Sequence, residues 1–145
     1  MLRVIDEVCD LPIFGLEGFE QAAYLRLDFF HAPGARCCLW MVEGCCVSLL
    51  RLEPWRDGLL LTGLETLPNR RNCGYAAALL TAVVAYCREQ GNARLYSHID
   101  HRNAPSIRVH EKCGFRRISD TAKLLDGTVT ARMGTYLLSL SYELP

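Results

Sequence analysis

A basic side chain, a glycine and an alanine stand at fixed intervals in residues 71–76, which read RNCGYA. This R-x-x-G-x-A pattern directly precedes a run of alanine and leucine that predicts a helix. The first backbone N–H groups of a helix lack internal acceptors and carry the positive end of its dipole. A phosphate can therefore approach the backbone at Gly74, with Arg71 beside it. A helix start with solvated arginines would explain the same residues.

Other phosphate-binding patterns are missing from the sequence. Neither G-x-x-x-x-G-K-[ST] nor G-x-G-x-x-G occurs. This argues against nucleoside triphosphates and Rossmann cofactors as ligands.

A second motif lies in residues 103–115, which read NAPSIRVHEKCGF. Residues 93–100, ARLYSHID, predict a buried strand just before it. Pro105 near the start of the motif and Gly114 near its end predict a short helix between them. The pattern that this helix carries is N-x-x-S-x-x-x-H-E-K-x-G-F.

Together the two motifs make this sequence similar to the GNAT superfamily of N-acetyltransferases. In that family a strand ends in a proline three residues before R/Q-x-x-G-x-G/A, and the next strand leads to N-x-x-[AS]-x-x-x-Y-E-K-x-G-F. Here Pro68 precedes Arg71 by three residues. The later motif is matched at Asn103, Ser106, Glu111, Lys112, Gly114 and Phe115. The likeness extends over about residues 59–120 and leaves out the N-terminal third, where acceptor specificity usually resides in this family.

The resemblance implies acetyl-CoA as the cosubstrate, bound in a V-shaped opening between the strand that ends at Leu67 and the strand that begins near Arg94. The pantetheine arm would pair with the backbone of residues 64–67, and the pyrophosphate would rest on the N–H groups of residues 73–76. N–H groups near Thr66 and Leu67 would polarise the thioester carbonyl, which contributes ~2.7–4 kcal/mol per donor in comparable oxyanion holes. The predicted cofactor-binding residues are Thr66, Leu67, Arg71, Asn72, Cys73, Gly74, Tyr75, Ala76, Asn103 and Ser106.

The resemblance also implies catalytic roles. The family places a tyrosine acid where this chain has His110, so His110 is expected to protonate the departing thiolate. The alternative is a surface histidine in a chain that has lost the family's acid. Glu65 and His98 are the candidates for the base that takes a proton from the amine. Because side chains alternate along a strand, His98 faces either the cleft or the opposite helix layer.

Two functions are compatible with these residues. The first is an enzyme, an N-acetyltransferase in which a primary amine of a small molecule or a peptide attacks the thioester directly. The second is a non-catalytic acyl-CoA-binding or regulatory domain that has lost acid and base. The acceptor stays open among polyamines, aminoglycosides, amino acids and protein N-termini. A second copy of the chain could complete the cleft, which would make the protein a homodimer.

The predicted strands and helices must position the candidate cofactor-binding and catalytic residues. Residues 36–55 predict two strands around a turn at Glu43-Gly44, and residues 57–68 predict a third strand that ends at Pro68. Apolar residues at helical spacing predict one helix over residues 15–30 and another that follows Pro68 and ends near Gly91.

The second half of the chain continues the alternation of strands and helices. A strand, a helix and a strand in succession around residues 57–100 predict a right-handed crossover. Residues 115–125 and 129–144 predict two more strands, joined as a hairpin by the turn at residues 126–128.

These segments predict one domain over residues 1–145 with an α/β fold built on a mixed α+β sheet. Its expected parts are an antiparallel N-terminal meander, a central β-α-β crossover with parallel splayed strands, and a C-terminal hairpin. The resemblance implies that this is the GNAT-like acyl-CoA N-acyltransferase fold.

The composition argues against several classes of partner. The 16 basic side chains equal the 16 acidic ones in number, so no overall field attracts nucleic acid or an anionic membrane. No apolar run reaches the ~20 residues that span a bilayer. The N-terminal segment contains acidic residues, unlike a signal peptide. We therefore expect a cytoplasmic protein that binds neither nucleic acid nor membrane.

Eight cysteines raise the alternatives of disulfides or a metal site. No C-x-x-C and no His/Cys cluster with zinc spacing occurs. A two-residue turn at Glu43-Gly44 would pair Cys46 with Met41 and Cys45 with Val42. We predict small thiols buried in the core and no metal site.

Overall fold

The computed structural model describes residues 1–141. Its regular elements, in chain order, are β1 (Leu2–Ile5), α1 (Ala22–Leu27), β2 (Arg36–Val42), β3 (Cys45–Trp55), β4 (Gly58–Thr66), α2 (Tyr75–Glu89), β5 (Arg94–Asp100), α3 (Ala104–Lys112), β6 (Arg116–Ser119), β7 (Ala122–Lys123), β8 (Val129–Thr130) and β9 (Met133–Ser139). Short 3-10 turns at Val8–Asp10, Phe29–His31 and Pro68–Arg70 lie in the connections. Within these residues, no helix has both the length and the apolar character that crossing a bilayer requires.

Seven strands form one sheet in the order β1-β2-β3-β4-β5-β9-β6. Neighbouring strands run antiparallel except β4 and β5, which are parallel and joined through α2. The antiparallel meander of β2, β3 and β4 and the central crossover confirm the predicted fold class.

Each face of the sheet carries its own apolar core. On the first face, α2 and α3 pack over a core that includes Leu50, Leu80 and Leu95. On the second face, the segment between β1 and β2, which contains α1, packs Leu25 over Leu49 and its neighbours. Neighbouring residues of one strand therefore belong to different cores.

β4 and β5 separate part-way along their length. Their paired residues run from Leu59 opposite Leu95 to Leu61 opposite Ser97, and the pairing ends there. The two strands thus form the predicted V, with Leu61 and Ser97 at its vertex.

A bulge in β4 lies just beyond this vertex. Arg51 of β3 pairs with Thr62, whereas Leu49 pairs with Glu65, so β4 contains one residue more than β3 between these pairs. Gly63 adopts a φ of 68° in the bulge, a conformation that glycine reaches without a Cβ clash. The bulge turns the end of β4 away from its earlier path beside β5.

The helix predicted over residues 15–30 is wrong in its extent, because only Ala22–Leu27 is helical. Gly15 has a φ of 94°, outside the helical region. Leu27, one of the apolar residues whose helical spacing predicts that helix, is 68% exposed, whereas Leu25 is fully buried. Tertiary contacts rather than helical periodicity decide which apolar residues of this segment are buried.

The C-terminal strands differ from the prediction in two ways. Residues 115–125 do not form one strand, since β6 ends at Ser119 and β7 pairs with β8 in a separate ribbon. β9 begins only at Met133 and lies between β5 and β6, where it pairs with both. Its antiparallel pairing with β6 confirms the predicted hairpin. Residues 142–144 of the predicted strand lie outside the described residues.

The turn between β2 and β3 is the predicted two-residue turn. Glu43 and Gly44 both have positive φ, at 51° and 79°, as a type I′ turn requires. Cys46 lies opposite Met41, which is the predicted register.

The cysteines are free thiols and only partly match the predicted burial. The buried ones are Cys37, Cys38, Cys46 and Cys87, whereas Cys9, Cys45 and Cys73 are exposed. Burial raises the pKa of the Cys37 thiol to about 12, so this group is a neutral, apolar part of the core.

Candidate active site

A cavity of about 660 Å³ opens where β4 leaves β5. It is lined by four parts of the chain: Glu20 just before α1, the end of β4 with the turn that follows, the first turn of α2, and one side of α3. Both sequence motifs therefore meet at one opening.

The start of α2 contributes main-chain donors to this cavity. Gly74 is the N-cap, with a φ of 80°. No side chain caps the helix and no acidic residue stands in its first turn. The first N–H groups of α2 are therefore left for an anion.

Basic side chains cluster around the same opening. Those that line the cavity are Arg70, Arg71, Arg108 and Lys112. Of these four residues, the sequence predicted only Arg71 as a ligand. Arg108 lies far from Arg71 in the chain and reaches the cavity only because α3 packs against α2. Arg116 and Arg117, which are near Lys112 in sequence, lie on β6 and do not line the cavity.

The structure brings most, but not all, of the predicted cofactor-binding residues to the cavity. Eight of them line the cavity: Thr66, Arg71, Asn72, Gly74, Tyr75, Ala76, Asn103 and Ser106. Cys73 does not line it and is exposed. Leu67 packs in the second core, and its N–H donates to the Val47 carbonyl at 3.0 Å. The resemblance implies that the Leu67 N–H polarises the thioester carbonyl. Because this N–H already donates to Val47, it is not free to do so.

Asn103 fixes the start of α3. Its Oδ1 accepts a hydrogen bond from the Ser106 N–H at 3.2 Å, which is the usual N-cap contact. Ser106 in turn connects the cavity wall to His110, whose Nδ1 lies 2.7 Å from the Ser106 carbonyl oxygen.

His110 is buried, with 1% of its surface exposed, so the alternative of a surface histidine is wrong. Its Nδ1–H donates to the Ser106 carbonyl, and its Nε2 lies 3.0 Å from Ser97 Oγ. The ring packs edge-on against Phe115, with 5.0 Å between ring centres. Burial lowers the pKa of His110, although the hydrogen bond to Ser106 opposes this shift.

The contact between Ser97 and His110 lies where β4 and β5 separate. Ser97 is the last residue of β5 that pairs with β4. The Ser97–His110 pair therefore lies at the vertex of the V, behind the residues that line the cavity. Sequence reasoning missed Ser97, and strand alternation alone gave no signal that His110 would reach it.

Glu65 lines the cavity from the side of β4. One carboxylate oxygen accepts from the Glu20 N–H at 2.6 Å, and the other accepts from Gln21 Nε2 at 2.9 Å. Gln21 also donates to the Gly63 carbonyl at 2.7 Å. Glu65 thus ties the start of α1 to the bulge of β4.

His98 lies on the second face, away from α2 and α3. Its ring packs against Trp55 with 5.1 Å between ring centres, and it is not among the residues that line the cavity. Its Nε2 is buried and has no hydrogen-bond partner within residues 1–141. Burial, and then the charge of Arg56, lower the pKa of His98, so the imidazole is neutral at neutral pH.

A family model described as the acetyltransferase (GNAT) family matches residues 5–115 of the chain. A comparison with curated protein sequences finds no match.

Solved structures share the fold. An IAA acetyltransferase from Bacillus cereus ATCC 14579 has a TM-score of 0.72 at 14% identity, over 96% of this chain and 98% of that one. The ribosomal-protein-S18-alanine N-acetyltransferase from Escherichia coli has a TM-score of 0.63 at 18% identity, over 77% and 73% of the two chains. The protein yncA from Salmonella typhimurium, solved with its cofactor acetyl-CoA, has a TM-score of 0.61 at 19% identity, over 77% and 68%. At these identities the likeness establishes the fold alone.

Proposed function

The chain belongs to the GNAT family of acetyltransferases, and we propose that it transfers the acetyl group of acetyl-CoA to a primary amine of a small molecule or a peptide. The observation that carries this proposal is the meeting of the two motifs. The turn at Gly74 and one side of α3 line the same cavity, at the opening between β4 and β5.

The residues present fit the diphosphate of acetyl-CoA. The uncapped N-terminus of α2 offers main-chain N–H groups, and the basic residues around it offer charged donors. A diphosphate accepts hydrogen bonds from both kinds of group. The first turn of α2 would hold the diphosphate, and Arg71 and Asn72 would flank it.

Acetyl-CoA supplies an activated thioester, and the chain has to position the amine and move protons. We assign the base to His98, because its Nε2 is unpartnered and its lowered pKa keeps it neutral. It follows Ser97, the last paired residue of β5, and therefore lies where the V opens on the second face.

Glu65 is the second candidate for the base. Each of its carboxylate oxygens already accepts a hydrogen bond from the start of α1. This arrangement supports a positioning role, in which Glu65 fixes the wall of the cavity next to the bulge.

The proton for the departing thiolate is assigned to His110, acting through Ser97. Both partners of the ring, the Ser106 carbonyl and the Ser97 hydroxyl, can accept a hydrogen bond. The same geometry therefore suits the imidazolium form, whose Nε2–H would donate to Ser97 while the serine hydroxyl donates onward.

The relay is tested with His110→Phe, Ser97→Ala and the double variant. If the two residues act as one unit, each single change lowers kcat and the double change lowers it little further. Additive losses, or full turnover in either single variant with unchanged acetyl-CoA binding, would contradict the relay.

A non-catalytic acyl-CoA-binding domain is the second candidate function. It is favoured by the burial of His110 and by the lowering of its pKa, since both reduce the acid available at neutral pH. The enzyme and the binding domain share acetyl-CoA binding and differ in turnover.

Two measurements separate these candidates. A thermal-shift titration with acetyl-CoA is expected to raise the Tm, by mass action on the folded state. Release of free CoA thiol is then followed over a panel of amines and peptides. Amine-dependent release supports the enzyme, stabilisation without release from any amine supports the binding domain, and no stabilisation contradicts both.

A further inference from the structure

Arg51 occupies the second face of the sheet beside the bulge in β4. It pairs with Thr62, the residue just before Gly63. A Cβ added to Gly63 would lie 2.7 Å from Arg51 Nε and 2.9 Å from its Nη2. The guanidinium therefore rests against the backbone at the point where the V opens, and only glycine leaves room for it there.

This guanidinium forms no ion pair in the part of the chain that the structure describes, although its charge acts on Glu53, whose pKa is raised by burial and lowered in part by Arg51. The ion pairs there are formed by three other arginines: Arg94, Arg102 and Arg117. Arg51 Nε is buried and lacks a hydrogen-bond acceptor. Gln21 Oε1, which lies 2.8 Å from the place where a Cβ of Gly63 would stand, is also buried and unpartnered.

Aromatic rings hold the guanidinium in place instead of a carboxylate. Its central carbon lies 4.8 Å from the centre of the Tyr24 ring and 5.8 Å from that of Phe29. Glu53, two residues along β3, is 7% exposed and forms no ion pair with Arg51. Stacking orients the plane of the guanidinium, and of its three nitrogens only Nε is buried without a partner, so the outer N–H donors of Nη1 and Nη2 are the ones that a ligand can reach.

Arg51 and His98 flank Thr62 across the sheet. Arg51 is opposite Thr62 on β3, and His98 follows the residue that pairs with Leu61 on β5. Both side chains project from the second face, since their strand neighbours Leu50, Leu52 and Ile99 belong to the first core.

We propose that Arg51 binds a carboxylate of the acceptor, and that the acceptor is a small amine of the amino acid class. This inference rests on the proposed function. The carboxylate would accept two hydrogen bonds from the guanidinium fork, and the amine would point to His98 at the opening of the V. A positive charge at this place disfavours polyamines and aminoglycosides, whose charged groups are all cationic.

The test compares each amino acid with the amine that lacks its carboxylate, for example phenylalanine with phenethylamine and leucine with isoamylamine. We expect the wild-type kcat/KM to be about 10- to 100-fold higher for the amino acid, which is the range for hydrogen bonds between charged groups. Arg51→Met is expected to reduce this ratio by a similar factor, mainly through KM. Arg51→Lys should restore part of it, because lysine keeps the charge and loses the fork.

The ratio of two substrates does not depend on how much of a variant is folded. Arg116→Met is the matched control, because Arg116 is exposed on β6 at the far edge of the sheet. Its ratio is expected to equal that of the wild type. Equal use of both members of each pair by the wild type would overturn the inference and leave the proposed acetyltransferase intact.

A binding measurement decides the inference if no amine gives turnover. The protein saturated with CoA is titrated with N-acetylphenylalanine, and the Tm is followed in the wild type and in Arg51→Met. Stabilisation of the wild type alone supports the carboxylate site even though acetyl transfer fails. No stabilisation, or equal stabilisation of both proteins, overturns it.

Discussion

On the first face of the sheet, the cavity is lined mainly by two continuous segments, the end of β4 with the turn into α2 and the start of α3. On the second face, Arg51 and His98 come from separate strands and are joined only by the order β3-β4-β5. The first face presents main-chain N–H groups and basic side chains, and the second presents two unpartnered nitrogens among aromatic rings. The comparison teaches that, in the proposed function, recognition of the acetyl donor is local in sequence and recognition of the acceptor is not.

The largest effect is expected at His98, which tests the second face. His98→Ala should lower kcat by about 100-fold or more, the usual contribution of a general base, with acetyl-CoA affinity unchanged. Glu65→Gln is the comparison variant and is expected to cost less, because the amide keeps an acceptor for Gln21. Steady-state kinetics with acetyl-CoA at saturation measure both, and a larger loss in Glu65→Gln would reverse the two assignments.

The next effect is expected on the first face. Gly74→Glu puts a negative charge at the N-terminus of α2, and we expect acetyl-CoA affinity to fall by about 30-fold, which corresponds to the upper range of helix-dipole effects. Calorimetric titration measures this loss. Gly91→Glu is the matched control at the other end of α2, because both glycines have a φ of 80° and open space where a Cβ would stand. Equal loss in both variants would show that backbone strain, not the anion site, is responsible.

His110, buried against Ser97 on the first face, predicts how stability depends on pH. Burial lowers its pKa below the ordinary value of about 6.5. The unfolded chain therefore binds its proton more readily, and the stability that the neutral ring contributes is present above pH 6.5 and is lost as the pH falls through this value. We expect the wild-type Tm to fall between pH 7.5 and 5.5 by more than the Tm of His110→Phe. Parallel curves would contradict this, since His98 titrates in both proteins.

The smallest effect is expected in the turn that follows Trp55. Burial, and then the charge of Arg56, lower the pKa of His98. Loss of this charge in Arg56→Gln should raise the pKa of His98. The acidic limb of kcat/KM is therefore expected to move to higher pH without loss of activity at its plateau. The pH profile of Arg116→Gln serves as the control. An unmoved limb would mean that His98 is not the group that titrates.

Patterns that depend on near neighbours were predictable. The positive φ values at Glu43 and Gly44 follow from the turn type, and the register of Cys46 opposite Met41 follows from the turn. α2 was evident because its buried residues recur every three or four positions. Both motifs and the crossover between them were recognisable for the same reason, as each lies within one short segment.

The sequence by itself determined the elements of the crossover, the glycine turn before α2 and the family likeness. It also predicted an anion site at Gly74, since a main-chain site needs only a glycine turn before a helix. Tertiary structure alone decided that α1 is short, that β9 lies between β5 and β6, that His110 is buried against Ser97, and that Arg51 lies unpaired beside Gly63. These features join residues far apart in the chain. Their geometry depends on how strands align and layers pack, which periodicity along the chain does not encode.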